Sequence, residues 1–400
     1  MGLLVYLCVF LFLEGTARIG YKIFINPPKD ETWFAYSPDL MWELKPNFIG
    51  NVGHAKRKFD SQGFLSVDTL QRNDSKKKVI FIGDSNTFGL HVSAESTFVE
   101  ILDSLLPEIS MINLGVPGYT SYQGCQMLIK HGLKLNPDIL VVSFNFNDRR
   151  YVINSEYTDN AITFQQEYER QLRMRKIKFL ENIYLYRSMR FLFRKAGIIK
   201  SYQFNINEVK INNFYPRVTP ENYRKNLVRI TELAKDKNIH VIFMLLKDNP
   251  IQTEHLTKGI KYLNNSQYDQ AIENLKLAIR HPNWFSDLAR KYLAIAYEKQ
   301  GLLEESEKIL TTTAVISLHG AYPIYLDTEY NQIMMQVAEN DNVKIIDAGR
   351  VLDQNNSYVD FCHPDIKGHQ KIAHLLYDSL VEILKYKPEH SEIEPQTDTF

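Results

Sequence analysis

The stretch VIFIGDSNTFGLHV, residues Val79 to Val92, sets an apolar run directly before Gly83, Asp84 and Ser85. A short continuous apolar run bounded by glycine and polar residues is typical of a buried β-strand. A strand that ends at Ser85 would present its hydroxyl at the carboxyl edge of a sheet, which is where open α/β sheets place their ligands. The stretch therefore predicts a buried strand with a serine at a ligand-binding edge.

The rest of the chain predicts a parallel sheet with helices on both faces. Five apolar runs have the length of buried strands: KKVIFIGDS, SMINLGVPG, PDILVVSFNFND, IHVIFMLL and VKIIDAG. Amphipathic stretches lie between or after them, at residues 97–106, 124–133, 221–235 and 327–337, and in GHQKIAHLLYDSLVEILKY near the end. Continuous apolar strands that alternate with helices are typical of α/β proteins with a parallel sheet.

Composition argues against several classes of function. The chain has 400 residues, with 47 Lys and Arg against 47 Asp and Glu, and its formal net charge is zero. Nucleic-acid-binding proteins usually carry a basic excess, so no nucleic-acid partner is expected. Three cysteines, Cys8, Cys125 and Cys362, are too few and too scattered for a disulfide framework or a zinc site.

The first 25 residues predict a hydrophobic anchor or a signal-like segment. The apolar run covers residues 2–13, whereas spanning a bilayer takes about 20 residues. It has the length of a signal-peptide core but neither a basic n-region nor a small-residue cleavage site. Arg18, Lys22 and Lys29 follow it, which by the positive-inside rule favours a cytoplasmic body. We expect a membrane-anchored or exported protein; the alternative is a buried first helix.

Two further segments do not fit the alternation of strands and helices. Residues 163–200 are rich in arginine, lysine and aromatic residues, which fits a solvated helical excursion or a basic helix on an anionic membrane. Residues 255–311 are helical in pattern, and NSQYDQAIENLKLAIRHPN is followed, at an offset of thirty-five residues, by KQGLLEESEKIL. This resembles a tetratricopeptide repeat and part of a second, and we expect this insert to bind a protein partner or to form a lid.

A nucleophilic serine needs a base, a group that orients the base, and donors for the oxyanion. The segment YVDFCHPDIKGHQKIAH places Asp360 three residues before His363, close enough for the carboxylate to fix the imidazole tautomer. Gly115, in NLGVPG, and Asn147, in NFND, each follow a predicted strand. Their N–H groups, with the Ser85 backbone N–H, would form an oxyanion hole.

Each of these residues could also have a purely structural function. Ser85 could cap the helix that follows, His363 could be a loop residue without a role, and Gly115 could only serve a turn. Asn147 could cap a helix, and Asp148 could form a surface ion pair with an adjacent arginine. Four such pieces, each at the end of a strand or helix, are nevertheless much harder to assign to chance.

Taken together, the motifs resemble the SGNH, or GDSL-type, hydrolase family. GDSNTFG is similar to its first block, NLGVPG to its second, NFND to its third and DFCHP to its last. LKPNFIGNVGHAKRKFDSQGFLS also resembles the segment that precedes the catalytic domain in a bacterial subgroup. The resemblance implies a three-layer α/β/α fold with a flavodoxin-like parallel sheet, and a serine esterase.

The resemblance also implies a role for each site residue. Ser85 would be the nucleophile, His363 the general base and Asp360 its partner, while Gly115 and Asn147 would hold the oxyanion with the Ser85 N–H. Asp84, also in the first block, would be structural. The third block usually reads Gly-x-Asn-Asp, and Asn145 stands where the glycine should be. If that position needs a positive φ, asparagine is the next most tolerated residue.

Other chemistry fits less well. No Lys-Ser or Lys-Thr follows GDSNTFG at P-loop spacing. His363, His369 and His374 would make a metal site only if they shared a helix face, and their gaps of six and five residues do not allow that. We expect no metal and no cofactor. Cys362 is expected to be a small apolar neighbour of the histidine.

The expected substrate is an acyl ester, such as a short acyl or acetyl group on a saccharide, or a lipid ester. There are two alternatives. One is a saccharide O-acetyltransferase with the same triad, and the other is a membrane-tethered interaction protein with an inactive hydrolase domain. The predicted division of the chain is an anchor or signal-like segment at 1–25, a prelude at 26–74, a hydrolase domain at 75–254 and 312–388, the insert at 255–311 and a disordered tail at 389–400.

Overall fold

The computed structural model describes residues 2–24, 32–53, 55–65, 76–152, 158–181, 183–195, 215–279, 284–311, 327–353, 356–360 and 362–384. The predicted tail at 389–400 lies outside these ranges. The chain divides into two compact units: one holds Met1–Glu43 and Asn160–Asn213, and the other holds Leu44–Asp159 and Phe214–Phe400. The predicted division stays a prediction.

The strands are β1 (Phe34–Ser37), β2 (Met41–Leu44), β3 (Ile49–Val52), β4 (Ala55–Lys58), β5 (Lys77–Gly83), β6 (Ile109–Asn113), β7 (Ile139–Ser143), β8 (Tyr151–Val152), β9 (Tyr215–Pro216), β10 (His240–Leu245) and β11 (Lys344–Asp347). The α-helices are α1 (Gly2–Phe24), α2 (Ser85–Phe88), α3 (Phe98–Leu105), α4 (Ser121–Lys130), α5 (Ala161–Glu181), α6 (Tyr184–Lys195), α7 (Pro220–Lys235), α8 (Pro250–Asn264), α9 (Tyr268–Ile279), α10 (Trp284–Lys299), α11 (Leu303–Thr311), α12 (Asp327–Asp341) and α13 (Ile366–Leu384).

The larger unit is built on a five-stranded parallel sheet with the order β11–β10–β7–β5–β6. All five strands were predicted from their apolar runs, and β6 and β7 are buried at every position because helices cover both faces. Numbered along the chain, the order is 2-1-3-4-5, which is flavodoxin-like. The predicted fold class is therefore confirmed. In this topology ligands bind at the carboxyl edge, where β5 and β7 lie side by side.

Helices form a layer on each side of the sheet. On one side, α3 and α13 share a buried cluster with the sheet that includes Phe81, Phe98 and Leu376. On the other side lie α4, α7 and α12: the Tyr223 hydroxyl of α7 donates to the carbonyl oxygen of Phe144 at 2.8 Å, and its ring lies 4.9 Å from that of Tyr330 in α12. The three-layer α/β/α arrangement places the carboxyl ends of β5 and β7 at one edge of the sheet.

Helices α8 to α11, which cover the predicted insert and begin five residues before it, pack on one another around a second buried cluster. Small residues at Ala271, Ala289 and Ala296 lie in it together with leucines and isoleucines, as close helix packing requires. Phe146 and Cys362 belong to the same cluster, so the insert shares its core with residues next to Asn147 and His363. The tetratricopeptide reading stays a prediction.

The smaller unit contains α1, α5 and α6, with β1 pairing with β2. Glu14 of α1 accepts hydrogen bonds from the first backbone N–H groups of α6, those of Tyr184 and Leu185, at 2.9 and 2.8 Å. Arg18 lies 4.9 Å from the centroid of the Tyr184 ring. Across the described ranges, none of the helices combines the length and the apolar character needed to cross a membrane.

Candidate active site

The turn that carries Ser85 depends on a glycine before it and an aspartate that caps the short helix α2. A Cβ on Gly83 would lie 2.0 Å from the Thr87 hydroxyl oxygen and 2.9 Å from the Ser143 carbonyl oxygen, so only glycine fits. Asp84 accepts the Asn86 backbone N–H at 2.9 Å. Because the chain then turns at once into α2, Ser85 becomes its first residue, at the carboxyl end of β5.

Ser85, His363 and Asp360 form a continuous chain of hydrogen bonds. The Ser85 Oγ lies 2.8 Å from Nε2 of His363, and Nδ1 of His363 lies 2.8 Å from Oδ2 of Asp360. The other carboxylate oxygen of Asp360 accepts the backbone N–H groups of Cys362 and His363 at 2.9 and 2.8 Å. The structure thus brings together a serine, an imidazole and a carboxylate that lie up to 278 residues apart in the chain.

The electrostatic environment keeps Asp360 ionised. Burial raises the pKa of this carboxyl, but the hydrogen bond and charge of His363, together with the two backbone N–H donors, outweigh it and bring the pKa down to about 2. An ionised carboxylate at Nδ1 favours the imidazole tautomer in which Nδ1 carries the proton and Nε2 is an acceptor. His363 is therefore prepared to accept a proton from Ser85.

Two of the three expected oxyanion donors make hydrogen bonds within the protein. The Gly115 N–H donates to the side-chain oxygen of Asn113 at 2.9 Å, and the Asn147 amide donates to Asp84 at 3.2 Å. A side-chain amide has a second N–H, whereas a backbone N–H has only one. Gly115 would therefore have to exchange Asn113 for a substrate oxygen, and its predicted role stays a prediction.

Gly115 and Asp84 have clear structural functions. A Cβ on Gly115 would lie 2.6 Å from the Phe88 backbone nitrogen, so glycine lets this loop contact α2. Burial raises the pKa of Asp84, while the hydrogen bond from Asn86 and the charge of His363 oppose that rise. Asp84 is placed by the structure as a cap and as an acceptor for Asn147.

Asn145, the departure from the usual third block, does not take a positive φ. Among the described residues it is absent from those with left-handed backbone conformations. Its side-chain amide instead donates to the Asn331 oxygen of α12 at 2.9 Å. The asparagine side chain therefore has a packing partner, and no left-handed conformation needs to be accommodated there.

Arg57 and His91 are two residues of the site region that the sequence analysis missed. Arg57, on β4, is 1% exposed and donates to the carbonyl oxygens of Gly89 and Val92, the latter at 2.5 Å. These bonds hold the turn after α2, where Nε2 of His91 lies 3.6 Å from Asp360 Oδ2. In the sequence Arg57 is only an arginine between two lysines in AKRK, and its inward position is seen only in the structure.

The neighbouring thiol and the second histidine have structural functions. Cys362 is 4% exposed, and burial raises the pKa of its thiol well above the usual value, so it stays protonated and unreactive. His369 is 1% exposed on α13, its Nδ1 accepts the Phe98 N–H at 3.2 Å, and burial lowers its pKa to about 3. His369 thus helps to join α13 to α3.

Asp148, which follows Asn147, is fully buried rather than part of a surface ion pair. Its Oδ1 accepts the backbone N–H of Ser121 at 2.8 Å and the Ser121 hydroxyl at 2.5 Å, whereas Oδ2 has no hydrogen-bond partner among the described residues. Burial raises the pKa of this carboxyl from 3.8 to about 8, although the hydrogen bonds from Ser121 oppose the rise. The folded protein therefore holds a proton on Asp148 at neutral pH.

This proton makes stability depend on pH. Between about pH 4 and about pH 8 the folded chain keeps a proton that the unfolded chain releases, so the free energy of unfolding falls as pH rises, by up to about 1.4 kcal/mol per pH unit. Asp148→Asn keeps an oxygen for Ser121 and removes this dependence. We expect the Tm of the variant, relative to the Tm of the wild type, to rise between pH 5 and pH 8. Equal pH slopes in thermal melts of Asp148→Asn, wild type and the exposed-site control Asp378→Asn would contradict this.

A small pocket is lined by the residues on either side of the serine, Asp84 and Asn86, but not by Ser85, Asp360 or His363 themselves. It is lined by polar and charged side chains that include Asp84, Asn86, Arg149, Lys247 and Asp248, with Phe144, Phe146 and Cys362 also contributing. Arg149 is 1% exposed and pairs with Asp248. The pocket thus joins the segments after β5, β7 and β10 beside the loop that carries His363.

The chain resembles known proteins in structure but matches none of the family models or curated proteins in sequence. Among solved structures, a lipase/acylhydrolase from Enterococcus faecalis is 15% identical, with a TM-score of 0.40 over 79% of this chain and 100% of that one. A GDSL-like lipase from Bacteroides thetaiotaomicron is 12% identical, with a TM-score of 0.35 over 78% of this chain and 92% of that one. An acetyl xylan esterase is 13% identical, with a TM-score of 0.36 over 76% of this chain and 99% of that one.

At such low identities and TM-scores, the resemblance of the chain to SGNH hydrolases rests on its own four motifs and on the geometry that joins Ser85, His363 and Asp360.

Proposed function

We propose that the chain is a serine esterase of the SGNH type that hydrolyses an acyl ester through an acyl-enzyme on Ser85. The observation that carries the proposal is the pair of 2.8 Å hydrogen bonds that link Ser85 to His363 and His363 to Asp360. Serine is a poor nucleophile at its own pKa, so it needs an adjacent base and a group that orients the base. Both partners are present at hydrogen-bond distance, at the edge of the sheet where ligands bind in this topology.

In the proposed reaction, His363 Nε2 takes the hydroxyl proton as Ser85 Oγ attacks the ester carbonyl carbon. The carbonyl oxygen becomes an oxyanion, and the C–O bond to the leaving alcohol then breaks as His363 returns its proton to that alcohol. A water molecule repeats the sequence on the acyl-enzyme and releases the acid. Asp360 stabilises the imidazolium that forms in both steps and stays ionised throughout.

The oxyanion would be held by donors from three loops. The Ser85 N–H lies at the first position of α2, where backbone N–H groups have no partner within the helix. Asn147 has a second amide N–H beyond the one it gives to Asp84. Gly115 would join them by exchanging Asn113 for the oxyanion, because hydrogen bonds in a site without substrate often rearrange when the transition state forms.

The polar pocket next to Asp84 and Asn86 is our support for a polar substrate with a short acyl group, such as acetyl on a saccharide. Arg149, Lys247 and Asp248 line it, and burying a long alkyl chain against such groups would desolvate them without new hydrogen bonds. The side-chain oxygen of Asn86, a residue that is 4% exposed, also lines the pocket and has no hydrogen-bond partner among the described residues. A substrate hydroxyl would supply the missing donor.

An activity-based probe tests the nucleophile directly. The full chain is incubated with a fluorophosphonate, which reacts with activated serines, and the modified peptide is identified by mass spectrometry. We expect one adduct, on Ser85, which is absent from Ser85→Ala and unchanged in Ser93→Ala, where an exposed serine on the following turn is lost. Labelling that persists in Ser85→Ala, or no labelling of the wild type, would reject the proposal.

Transfer of the acyl group to a saccharide hydroxyl uses the same atoms, with that hydroxyl in place of water in the second step. Product analysis with p-nitrophenyl acetate as donor distinguishes the two reactions. Free acetate in the presence of an oligosaccharide indicates a hydrolase, and an acetylated oligosaccharide indicates an acyltransferase. An N-terminal anchor or export signal, and a protein partner at helices α8 to α11, stay predictions.

A further inference from the structure

Three side chains that can bind metals meet at the edge of the candidate site. Nε2 of His91 lies 3.6 Å from Asp360 Oδ2, and the same oxygen lies 2.8 Å from Nδ1 of His363. One ligand atom from each residue lies within 4.8 Å of the other two. The side chains are 19%, 20% and 14% exposed, respectively, so an ion from solvent can reach them. The metal site considered from the sequence, with His369 and His374, shares only His363 with this cluster.

His91 is held in this position by the protein around it. Arg57 donates to the carbonyl oxygens of Gly89 and Val92 on either side of it. The rings of His91 and His363 meet edge to face with their centroids 4.7 Å apart. A ligand held by its own backbone and by a neighbouring ring loses little conformational freedom when an ion binds.

We propose that His91, Asp360 and His363 bind a divalent transition-metal ion such as Zn²⁺, and that the bound ion inhibits the reaction. Two imidazoles and one carboxylate are ligands that suit Zn²⁺, and water would complete its four-coordinate shell. Bonds of about 2.0–2.2 Å require the ligand atoms to lie roughly 3.5 Å apart. Nε2 of His91 already lies 3.6 Å from Asp360 Oδ2, whereas Nδ1 of His363, at 2.8 Å, would have to move slightly away from that oxygen to make room for the ion. The inhibition rests on the proposed function, but the binding does not.

The inhibition follows from which nitrogen the ion occupies. Nδ1 of His363 is the nitrogen that faces Asp360, and Nε2 faces Ser85. An ion on Nδ1 displaces the proton from that atom, and a neutral imidazole then carries its one proton on Nε2. Nε2 has no lone pair left for the Ser85 proton. The ion also takes the Asp360 carboxylate that would stabilise the imidazolium.

Binding is measured by isothermal titration of ZnCl₂ into the full chain in a buffer that does not chelate zinc. The same titration is made with Ser85→Ala, with His91→Gln and with His374→Gln, which removes an exposed histidine of α13 outside the cluster. We expect one ion per chain for wild type, Ser85→Ala and His374→Gln. In His91→Gln we expect binding to weaken by at least about tenfold, because even the loss of a residue behind a metal ligand costs about 10–100-fold.

The hydrolysis of p-nitrophenyl acetate is then followed at increasing Zn²⁺, with each variant compared with its own metal-free rate. The wild type should lose activity over the concentration range in which it binds the ion, and His91→Gln should need at least about tenfold more zinc, matching its weaker binding. Mg²⁺, which prefers oxygen ligands, should not inhibit. Zinc binding that is unchanged in His91→Gln, or that is lost in His374→Gln, would overturn the proposal.

Because Ser85 supplies no zinc ligand, zinc binding and ester hydrolysis can fail independently of one another. If the chain binds zinc at this site but hydrolyses no ester, the metal site stands and the esterase proposal fails. If it hydrolyses esters but the wild type binds no zinc, the metal site alone is wrong.

Discussion

Ser85→Ala is expected to lower kcat for p-nitrophenyl acetate by about 10⁶, because removal of a serine nucleophile leaves neither an acyl-enzyme nor a group for the base to activate. The serine is 7% exposed and lies in one turn of helix, so the loss of its oxygen should leave the fold intact. Initial rates of purified wild type and variant, at equal concentration and saturating ester, measure the effect.

The control for this experiment is a serine that differs only in its environment. Ser93 follows the same turn, is exposed, and bonds to the Ser96 hydroxyl at 2.9 Å rather than to an imidazole. Ser93→Ala should keep the wild-type rate within a factor of about two, as expected for a surface substitution. Equal rates in wild type and Ser85→Ala would mean that any hydrolysis observed does not proceed through this serine.

Much of the fold could be predicted because its signals are local. Continuous apolar runs mark the five strands of the sheet, since strands covered on both faces have no polar side. The capping aspartate and the glycines that surround Ser85 also lie within one short stretch of sequence. The positions of Ser85, Asn147 and His363 near one edge follow from the topology, because the carboxyl ends of parallel strands share that edge.

Contacts between distant segments could not be predicted, since they leave no pattern in the sequence. Arg57 reaches the turn after α2 from a hairpin about thirty residues earlier. Asn145 bonds to a residue 186 positions later. The same holds for His91: in the sequence it is one histidine in a turn, and only the structure places it beside Asp360.

Asp360→Asn is the second substitution with a large expected effect, a fall in kcat of about 10⁴. Asp360 makes two kinds of contact, and only one is lost. Its Oδ1 accepts the N–H groups of Cys362 and His363, which an asparagine oxygen can also accept. Its Oδ2 faces Nδ1 of His363 at 2.8 Å, and there an amide N–H would replace the acceptor.

The asparagine would therefore change the tautomer of His363 without removing the side chain. An amide N–H donates to Nδ1, so the imidazole proton moves to Nε2, which can then no longer accept the proton of Ser85. The variant should fold, and its Ser85 hydroxyl should stay in place. The substitution should therefore lower kcat and leave KM unchanged. NMR of ¹⁵N-labelled histidine should show the imidazole proton on Nδ1 of His363 in the wild type and on Nε2 in the variant.

A second aspartate tests whether this effect belongs to the triad. Asp378 of α13 is exposed and lies away from the loop that carries His363, so Asp378→Asn should keep the wild-type kcat. A loss of less than about tenfold in Asp360→Asn would mean that the carboxylate does not set the tautomer, since this substitution costs far more where an aspartate does so. Ser85 and His363 would then act as a dyad, and the 2.8 Å contact with Asp360 would only hold the loop in place.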